Sequence, residues 1–402
     1  MKFYNLKGTM QKRKFLTLLL VFILSFSMSI LLKAEYLVDA KTDDVEVSLS
    51  ASVADIVDTL DLSGLQGILE KLDNSELFGM SIREKVELIL SGKYFTDYSS
   101  IVSAILSLIF GNIKSLLPII FTILAIGILC NLISSIKVSN AESSDMVYFV
   151  CYAVIVILIL ISFKDILSDL KGVIDGISRL MQVVFPILIS LLVSIGSMSS
   201  VSIYNPLVAV LSTVVDIVFS DFLYPIFVVI FLFTVLSNLT TNIKLDKMTQ
   251  FFSSLFKWAV GIVFTLFAGF LSVQGISAGK FDSLSIKATK FAVKSYIPII
   301  GSFMADGMDF IVLGSVLVKN TIGLVAILLL FLMIIIPVVK VVTYKLLLQL
   351  TSGVLELSGS SKIASFIHDV SKVLILPIVI VLGVAFMFIL TVALIMCTAN
   401  IF

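Results

Sequence analysis

The chain has 402 residues, of which 59% are hydrophobic and only 14% are charged. Ordinary soluble proteins have about a quarter of their residues charged, so this composition indicates an integral membrane protein. The net charge is +1 with a single histidine, which gives no electrostatic basis for binding nucleic acid. The acids are concentrated in one region. Residues 33–100 hold fourteen acidic and six basic side chains, whereas residues 101–402 hold thirteen and seventeen.

The first 40 residues have the layout of a signal peptide. Five basic residues precede an uncharged apolar run from Phe15 to Leu32, and a positive end of this kind stays in the cytoplasm. Val38 and Ala40 supply the small residues of a signal-peptidase site. At 18 residues the run is also long enough for an uncleaved signal anchor. Both possibilities place the following segment outside the cytoplasm.

Residues 41–100 are predicted to form an exported, acidic, helical segment. Ser63 and Ser81 each stand three residues before a Gln or Glu and open an apolar stripe, which is the pattern of a helix capping box. Two interpretations fit these amphipathic helices. They pack on one another or on the membrane surface, or they dock a partner outside the cytoplasm.

Residues 101–402 are predicted to form a multispan transmembrane domain. About 20 helical residues cross the hydrocarbon of a bilayer, and seven runs that lack Asp, Glu, Lys, Arg and His meet or approach that length. The runs are 115–136, 146–163, 180–215, 222–243, 258–279, 320–339 and 373–402. The chain is therefore predicted to be an all-α, polytopic membrane protein with about seven or eight transmembrane helices, some of them broken or re-entrant.

The run at 180–215 is too long for one span and contains its own interruption. Gly196 begins a stretch of small and polar residues, and Pro206 follows that stretch. Such residues stop helices, so the sequence predicts a hairpin with arms at 180–195 and 206–219. The turn is either a plain loop at the membrane face or a pair of half-helices that meet inside the bilayer, as in some transporters.

The most polar stretch of this domain lies between residues 296 and 323. Pro298 and Gly301 are candidate helix breaks. Asp306 and Asp309 follow, and their spacing places them on one face if the stretch is helical. The acids either line a path through the membrane or belong to an ordinary interfacial loop.

Three further polar residues lie in or beside apolar sequence and are candidates for a membrane pathway. They are Asp216, at the end of the returning arm of the hairpin, and the adjacent Lys319 and Asn320. Ionisable groups at membrane depth are costly and usually face a bundle interior or a wet cavity.

Several kinds of chemistry are not predicted. The sequence has no Gly-x4-Gly-Lys-Ser/Thr phosphate loop, so this chain does not hydrolyse nucleotide by that route. Cys130, Cys151 and Cys397 lie in apolar runs without a CxxC pair, which favours packing over a disulfide or a metal site. No catalytic residue, metal site or cofactor is predicted.

One stretch also carries a resemblance to a known family. It reads Tyr296, Ile297, Pro298, Ile299, Ile300 and Gly301, then Asp306, Asp309 and Gly314, then Lys319, Asn320, Thr321, Ile322 and Gly323. An apolar span that ends in Pro337 and Lys340 comes next. Together with the signal-like start and the exported helical segment, this stretch resembles the stage III sporulation protein AE family.

The resemblance implies a subunit of the machine that joins mother cell and forespore during endospore formation. Proteins of this family are expected in the mother-cell membrane that surrounds the forespore. Their expected partners are other stage III sporulation operon proteins, including a separate ATPase and ring-forming subunits, and a forespore partner across the intermembrane space. The assembly is implied to be a channel that supports late forespore gene expression.

Two functions compete. The first is a membrane subunit of that transenvelope channel complex, which lines or anchors its conduit. The second is a self-contained secondary transporter, in which Asp216, Asp306 and Asp309 relay ions or protons near broken helices. A purely structural scaffold is a third possibility. None of these functions is enzymatic.

Overall fold

The computed structural model describes residues 53, 55–71, 86, 98–135, 141–239, 245–296 and 301–398. Within these ranges the chain is helical apart from short turns, and it has no strand. The predicted all-α fold is confirmed. The predicted signal region at 1–40 and most of the segment at 41–100 lie outside the described residues.

The helices with defined ends are labelled in chain order. They are α1 (Ser63–Lys71), α2 (Tyr98–Ser135), α3 (Ala141–Ile195), α4 (Met198–Val214), α5 (Tyr224–Leu239), α6 (Asp246–Tyr296), α7 (Gly301–Leu357), α8 (Ser361–Val373) and α9 (Ile375–Cys397). A π-helical segment, Val215–Leu223, joins α4 to α5 without a break.

Six helical stretches in the described part of the chain are long and apolar enough to cross a membrane, and the protein is a multi-pass membrane protein. The separate runs of the sequence merge in the structure. α3 contains both the run at 146–163 and the first hairpin arm, while the π-helical segment joins the returning arm to the run at 222–243. The intervening charges lie on the outer side of the helices, so they interrupt an apolar run without ending the helix.

The two longest helices, α3 and α7, pack against each other along the bundle. They have 55 and 57 residues, which correspond to about 80 to 85 Å at the helical rise. They run antiparallel. Lys340 Nζ lies 2.6 Å from Asp169 Oδ2, and Gly176, seven residues further along α3, packs against Met333, seven residues back along α7.

α9 lies at the centre of the bundle. It is apolar on every side, and 17 of its 23 residues are buried. The ring of Phe388 packs 5.7 Å from the ring of Phe185 in α3. Gly383 lies against Phe264 of α6 and Phe219 of the π-helical segment. A helix that is apolar all round and enclosed in this way is a core element, so the part of the C-terminal run that forms α9 is not a lipid-facing span.

The opposite end of α7 is held by α2 and by a tight turn. Gly359 ends α7 with φ +90, a left-handed conformation that glycine adopts without strain. Asn131 Nδ2 donates a hydrogen bond to the Ser358 carbonyl, and Ser360 Oγ donates one to the Gly127 carbonyl at 2.9 Å. This end of the bundle is called the basal end, and the end where α3 turns into α4 is called the distal end.

The central position of α9 predicts a large cost for removing one of its rings. Phe388 is fully buried, whereas Phe121 in α2 is 62% exposed. We expect Phe388→Ala to lower the free energy of unfolding by about 3 to 5 kcal/mol, because it leaves a cavity. The matched change Phe121→Ala should alter that free energy by less than about 0.5 kcal/mol. Thermal unfolding of the detergent-solubilised protein measures both, and equal effects would contradict a central α9.

Candidate functional site

The turn at the distal end is built by Gly196. α3 ends at Ile195, and Gly196 has φ +86. Its N–H donates to the Val193 carbonyl at 2.9 Å, and the Ser197 N–H donates to the Leu192 carbonyl at 3.0 Å. This pair of bonds is a Schellman motif, in which a glycine in the left-handed region satisfies the last carbonyls of a helix.

Pro206, the other candidate break in this region, lies inside a helix. α4 starts at Met198 and continues through Pro206 to Val214, so the returning arm of the hairpin begins eight residues earlier than the sequence predicted. The proline removes only one backbone donor, and the helix persists around it. Gly301 is the first residue of α7, and Pro298 lies outside the described residues.

The distal end also holds a group of hydrogen bonds around Lys319 of α7, here called the node. The Lys319 side chain is completely buried, and its Nζ donates a hydrogen bond to the carbonyl of Thr398 at the end of α9. Thr398 Oγ1 lies 2.7 Å from the hydroxyl of Tyr204 in α4. The node therefore ties α4, α7 and α9 together at the distal end.

Lys319 is suited to this position by its charge. The last turn of a helix carries unsatisfied carbonyls and a partial negative charge, and Lys319 donates into the end of α9. A buried ammonium without such a partner would be very costly. α7 and α9 are also closely packed beside this bond. A Cβ at Gly323, one turn along α7 from Lys319, would lie 2.5 Å from Met396 Sδ of α9.

Three other polar atoms towards the distal end are buried without a hydrogen bond to the described part of the protein. They are the hydroxyls of Ser197 and Ser315 and the side-chain oxygen of Asn320. Ser315 precedes Lys319 by one helical turn, and Asn320 follows it directly. Polar atoms buried in this way destabilise a protein unless water or a ligand satisfies them.

Charged side chains form a second feature, here called the charged belt, around the middle of the bundle. Its members are Lys164, Asp165, Asp169, Lys171, Asp175 and Arg179 of α3, Lys340 of α7, and Asp216 and Asp221 of the π-helical segment. An ion pair between Lys340 and Asp169 fixes its height on α3 and α7.

The packing of Phe219 places the π-helical segment at the height of this belt. A Cβ at Gly383 would lie 3.4 Å from the Phe219 ring. Val381, two residues earlier in α9, lines a small apolar cavity together with Ile166 and Leu170 of α3. Asp216 and Asp221 therefore lie at a height along the bundle similar to that of Asp169 in α3.

The π-helical geometry aligns the two acids of the segment. Both Asp216 and Asp221 are exposed. A π-helix bonds residues five apart, as an α-helix bonds residues four apart, so Asp216 and Asp221 lie on one side of the segment. Sequence reasoning identified Asp216 and missed Asp221, because an α-helix would turn residues five apart away from each other.

The two acids of the polar stretch lie on one helix, α7, three residues apart. The Asp309 side chain is half-buried, while the side chain of Asp306 is outside the described part. Lys319 is ten residues further along, a rise of about 15 Å. The structure thus separates these acids from the Lys319 node and from Asp216.

A small cavity between α3, α7 and α9 has only apolar lining residues. No three side chains of His, Cys, Asp or Glu in the described part of the chain are grouped to hold a metal ion.

Comparison with known proteins gives this architecture a biological setting. The family model of stage III sporulation protein AE matches residues 80–399. The chain belongs to the stage III sporulation protein AE family. Stage III sporulation protein AE of Bacillus subtilis (strain 168) is 23% identical over 317 residues, which cover 78% of this chain and 79% of that protein. No solved structure matches the chain. A family member of this kind has a role in sporulation.

The node predicts energetic coupling between Tyr204 and Thr398. Tyr204→Phe and Thr398→Val each remove one side of the 2.7 Å hydrogen bond, and each should cost about 0.5 to 1.5 kcal/mol. Because the bond is shared, the double variant should cost about 1 kcal/mol less than the sum. Unfolding in a titration from mild to denaturing detergent measures this difference.

A matched pair provides the control for this coupling. Thr391 is buried in the same helix, and its hydroxyl bonds the Met387 carbonyl within α9. Tyr204→Phe combined with Thr391→Val should therefore be additive. Additivity of the Tyr204 and Thr398 changes would contradict the node.

Proposed function

We propose that this protein is a membrane subunit of the mother cell to forespore channel complex needed for endospore formation, and that it lines or anchors the conduit. It acts in the mother-cell membrane that surrounds the forespore. Membership of the stage III sporulation protein AE family over residues 80–399 and the multi-pass helical fold support this proposal.

The observation that carries the choice of mechanism is the separation of the candidate acids. A self-contained transporter needs a polar site inside the bundle, reached from both sides of the membrane. The buried core of the described part of the chain is apolar, and α9 contributes 17 buried residues to it. Asp216 is exposed and Asp309 lies at the start of α7, so the acids do not converge on one internal site. A subunit of this shape contributes its outer surface to an assembly.

The partners follow from the same proposal. The ATPase is a separate subunit, since this chain has no phosphate loop. The exported segment at 41–100 faces the intermembrane space, where ring-forming subunits and the forespore partner are reached. α1 supports this arrangement, because Leu65 is fully buried and Gly64 packs against Val183 of α3. The exported segment is thereby attached to the bundle.

Removal of the exported segment distinguishes the complex subunit from the transporter. A strain whose only copy lacks residues 41–97 but keeps the signal region should form spores no better than a strain without the gene. A transporter would tolerate the deletion. Spore counts and a forespore-specific reporter measure the effect, with membrane levels of the protein checked in parallel. Normal sporulation with normal protein levels would contradict the proposal.

The paired acids of α7 test whether a pathway role resides there. If Asp306 and Asp309 contribute to the conduit, Asp306→Asn and Asp309→Asn together should abolish late forespore reporter activity while the protein accumulates normally. Glu356→Gln serves as the matched control, since Glu356 is an exposed acid near the other end of the same helix. Normal sporulation of the double variant would assign both acids to an ordinary polar surface and favour an anchoring role.

A further inference from the structure

The bundle is longer than a bilayer is thick. Leu355 of α7 packs against Gly127 at the basal end, and Lys319 of the same helix reaches Thr398 at the distal end. Lys319 and Leu355 are separated by 36 positions along α7, a rise of about 54 Å, whereas the hydrocarbon core is about 30 Å thick. Part of this packed bundle therefore lies outside the hydrocarbon.

The outer stripe of α3 shows where the boundary lies. On the basal side of the charged belt, every exposed residue of α3 whose side chain the structure describes is large and apolar. These residues are Met146, Phe149, Val150, Val154, Ile157, Leu160 and Ile161. On the distal side, the exposed residues of the same helix are Gln182, Pro186, Ser190, Val193 and Ser194. One helix thus changes from a lipid-facing surface to a mixed, mainly polar one as it passes the belt.

The returning helix also has a mixed outer surface. On α4 and the π-helical segment, the exposed residues include the polar Ser202, Asn205, Thr213, Asp216 and Asp221 alongside the apolar Met198, Val210, Ile217 and Phe222. The serine and threonine hydroxyls bond carbonyls of their own helix, which lipid tolerates. Within the part of the chain that the structure describes, the Asn205 amide and the carboxylates of Asp216 and Asp221 have no hydrogen bond to their own helix. Exposed groups of this kind would be costly in hydrocarbon.

The position of α1 gives the direction. α1 belongs to the segment that the signal-like start exports, and it packs on α3 at Val183, which is beyond the charged belt on the distal side. The exported segment and the distal half of the bundle are therefore on the same side of the membrane.

We propose that the distal half of the bundle stands outside the bilayer, on the side to which the N-terminal segment is exported, with the outer face of the α3–α4 hairpin in water. This half comprises residues 180–214, the N-terminal part of α7, and α9 as its apolar core. The charged belt lies where the bundle leaves the hydrocarbon. The inference goes beyond the proposed function and holds whichever protein the distal half contacts.

Single cysteines test the placement in the full-length protein. Cys130, Cys151 and Cys397 are first replaced by Ala, and Ser194→Cys, Ser202→Cys or Thr213→Cys is then introduced on the hairpin. Ile157→Cys and Leu346→Cys are the matched lipid-facing controls, because both side chains are more than half exposed. Glu70→Cys reports the exported segment. A charged, membrane-impermeant maleimide is added to protoplasts that express each variant in the absence of sporulation partners.

Hairpin cysteines should react from outside at a rate close to that of Glu70→Cys and at least about tenfold faster than the lipid-facing controls, because a thiolate forms in water and not in hydrocarbon. Labelling after denaturation gives the total amount of each protein. Hairpin cysteines that react as slowly as Ile157→Cys would overturn the proposal. Labelling of the hairpin only when the cytoplasmic side is opened would overturn it as well. Three hairpin positions keep the test decisive if one variant fails to accumulate.

Discussion

The limited thickness of the bilayer is the constraint on which the account of this protein depends. The antiparallel helices α3 and α7 make the bundle longer than the hydrocarbon core of a bilayer is thick. The position of the lipid boundary explains where the apolar surface, the charged belt and the second core lie. The apolar outer stripe of α3 in the basal half suits lipid, and the charged belt suits the interface. The distal half needs a core of its own, which α9 supplies.

This arrangement accounts for an otherwise unexpected distribution of hydrophobicity. The most apolar helix of the chain, α9, is enclosed by other helices and makes little of the outer surface. Lys319, the charged residue most deeply placed in apolar sequence, acts at the end of that helix by donating to the Thr398 carbonyl. Apolar sequence therefore indicates burial here, and burial has two sources, lipid in the basal half and protein in the distal half.

The sequence predicted much of the fold and less of the site. The absence of strand patterns and the long apolar runs predicted an all-α membrane protein, which is confirmed, and the chemistry of Gly196 marked the turn that ends α3. The number of helices could not be read from charge-free runs, because Lys164 and Arg179 lie on the outer stripe of an unbroken helix.

The site depended more strongly on tertiary contacts. Lys319 was a candidate from its sequence context. Its partner Thr398 lies 79 residues further along the chain, and Tyr204, which bonds Thr398, lies 194 residues before Thr398. No local pattern connects these residues. Asp221 aligns with Asp216 only because the segment is π-helical. Pro206 has the chemistry of a helix break and yet lies within α4, since packing of the hairpin outweighs one lost backbone donor.

A density map of the full-length protein in a lipid nanodisc tests the central claim most directly. The account predicts that the disc surrounds the basal half, that its edge coincides with Asp169 and Lys340, and that the turn at Gly196 projects from it with α1 alongside. A disc that surrounds the α3–α4 hairpin, with the apolar surface at Ile157 and Leu346 left in solvent, would contradict the account.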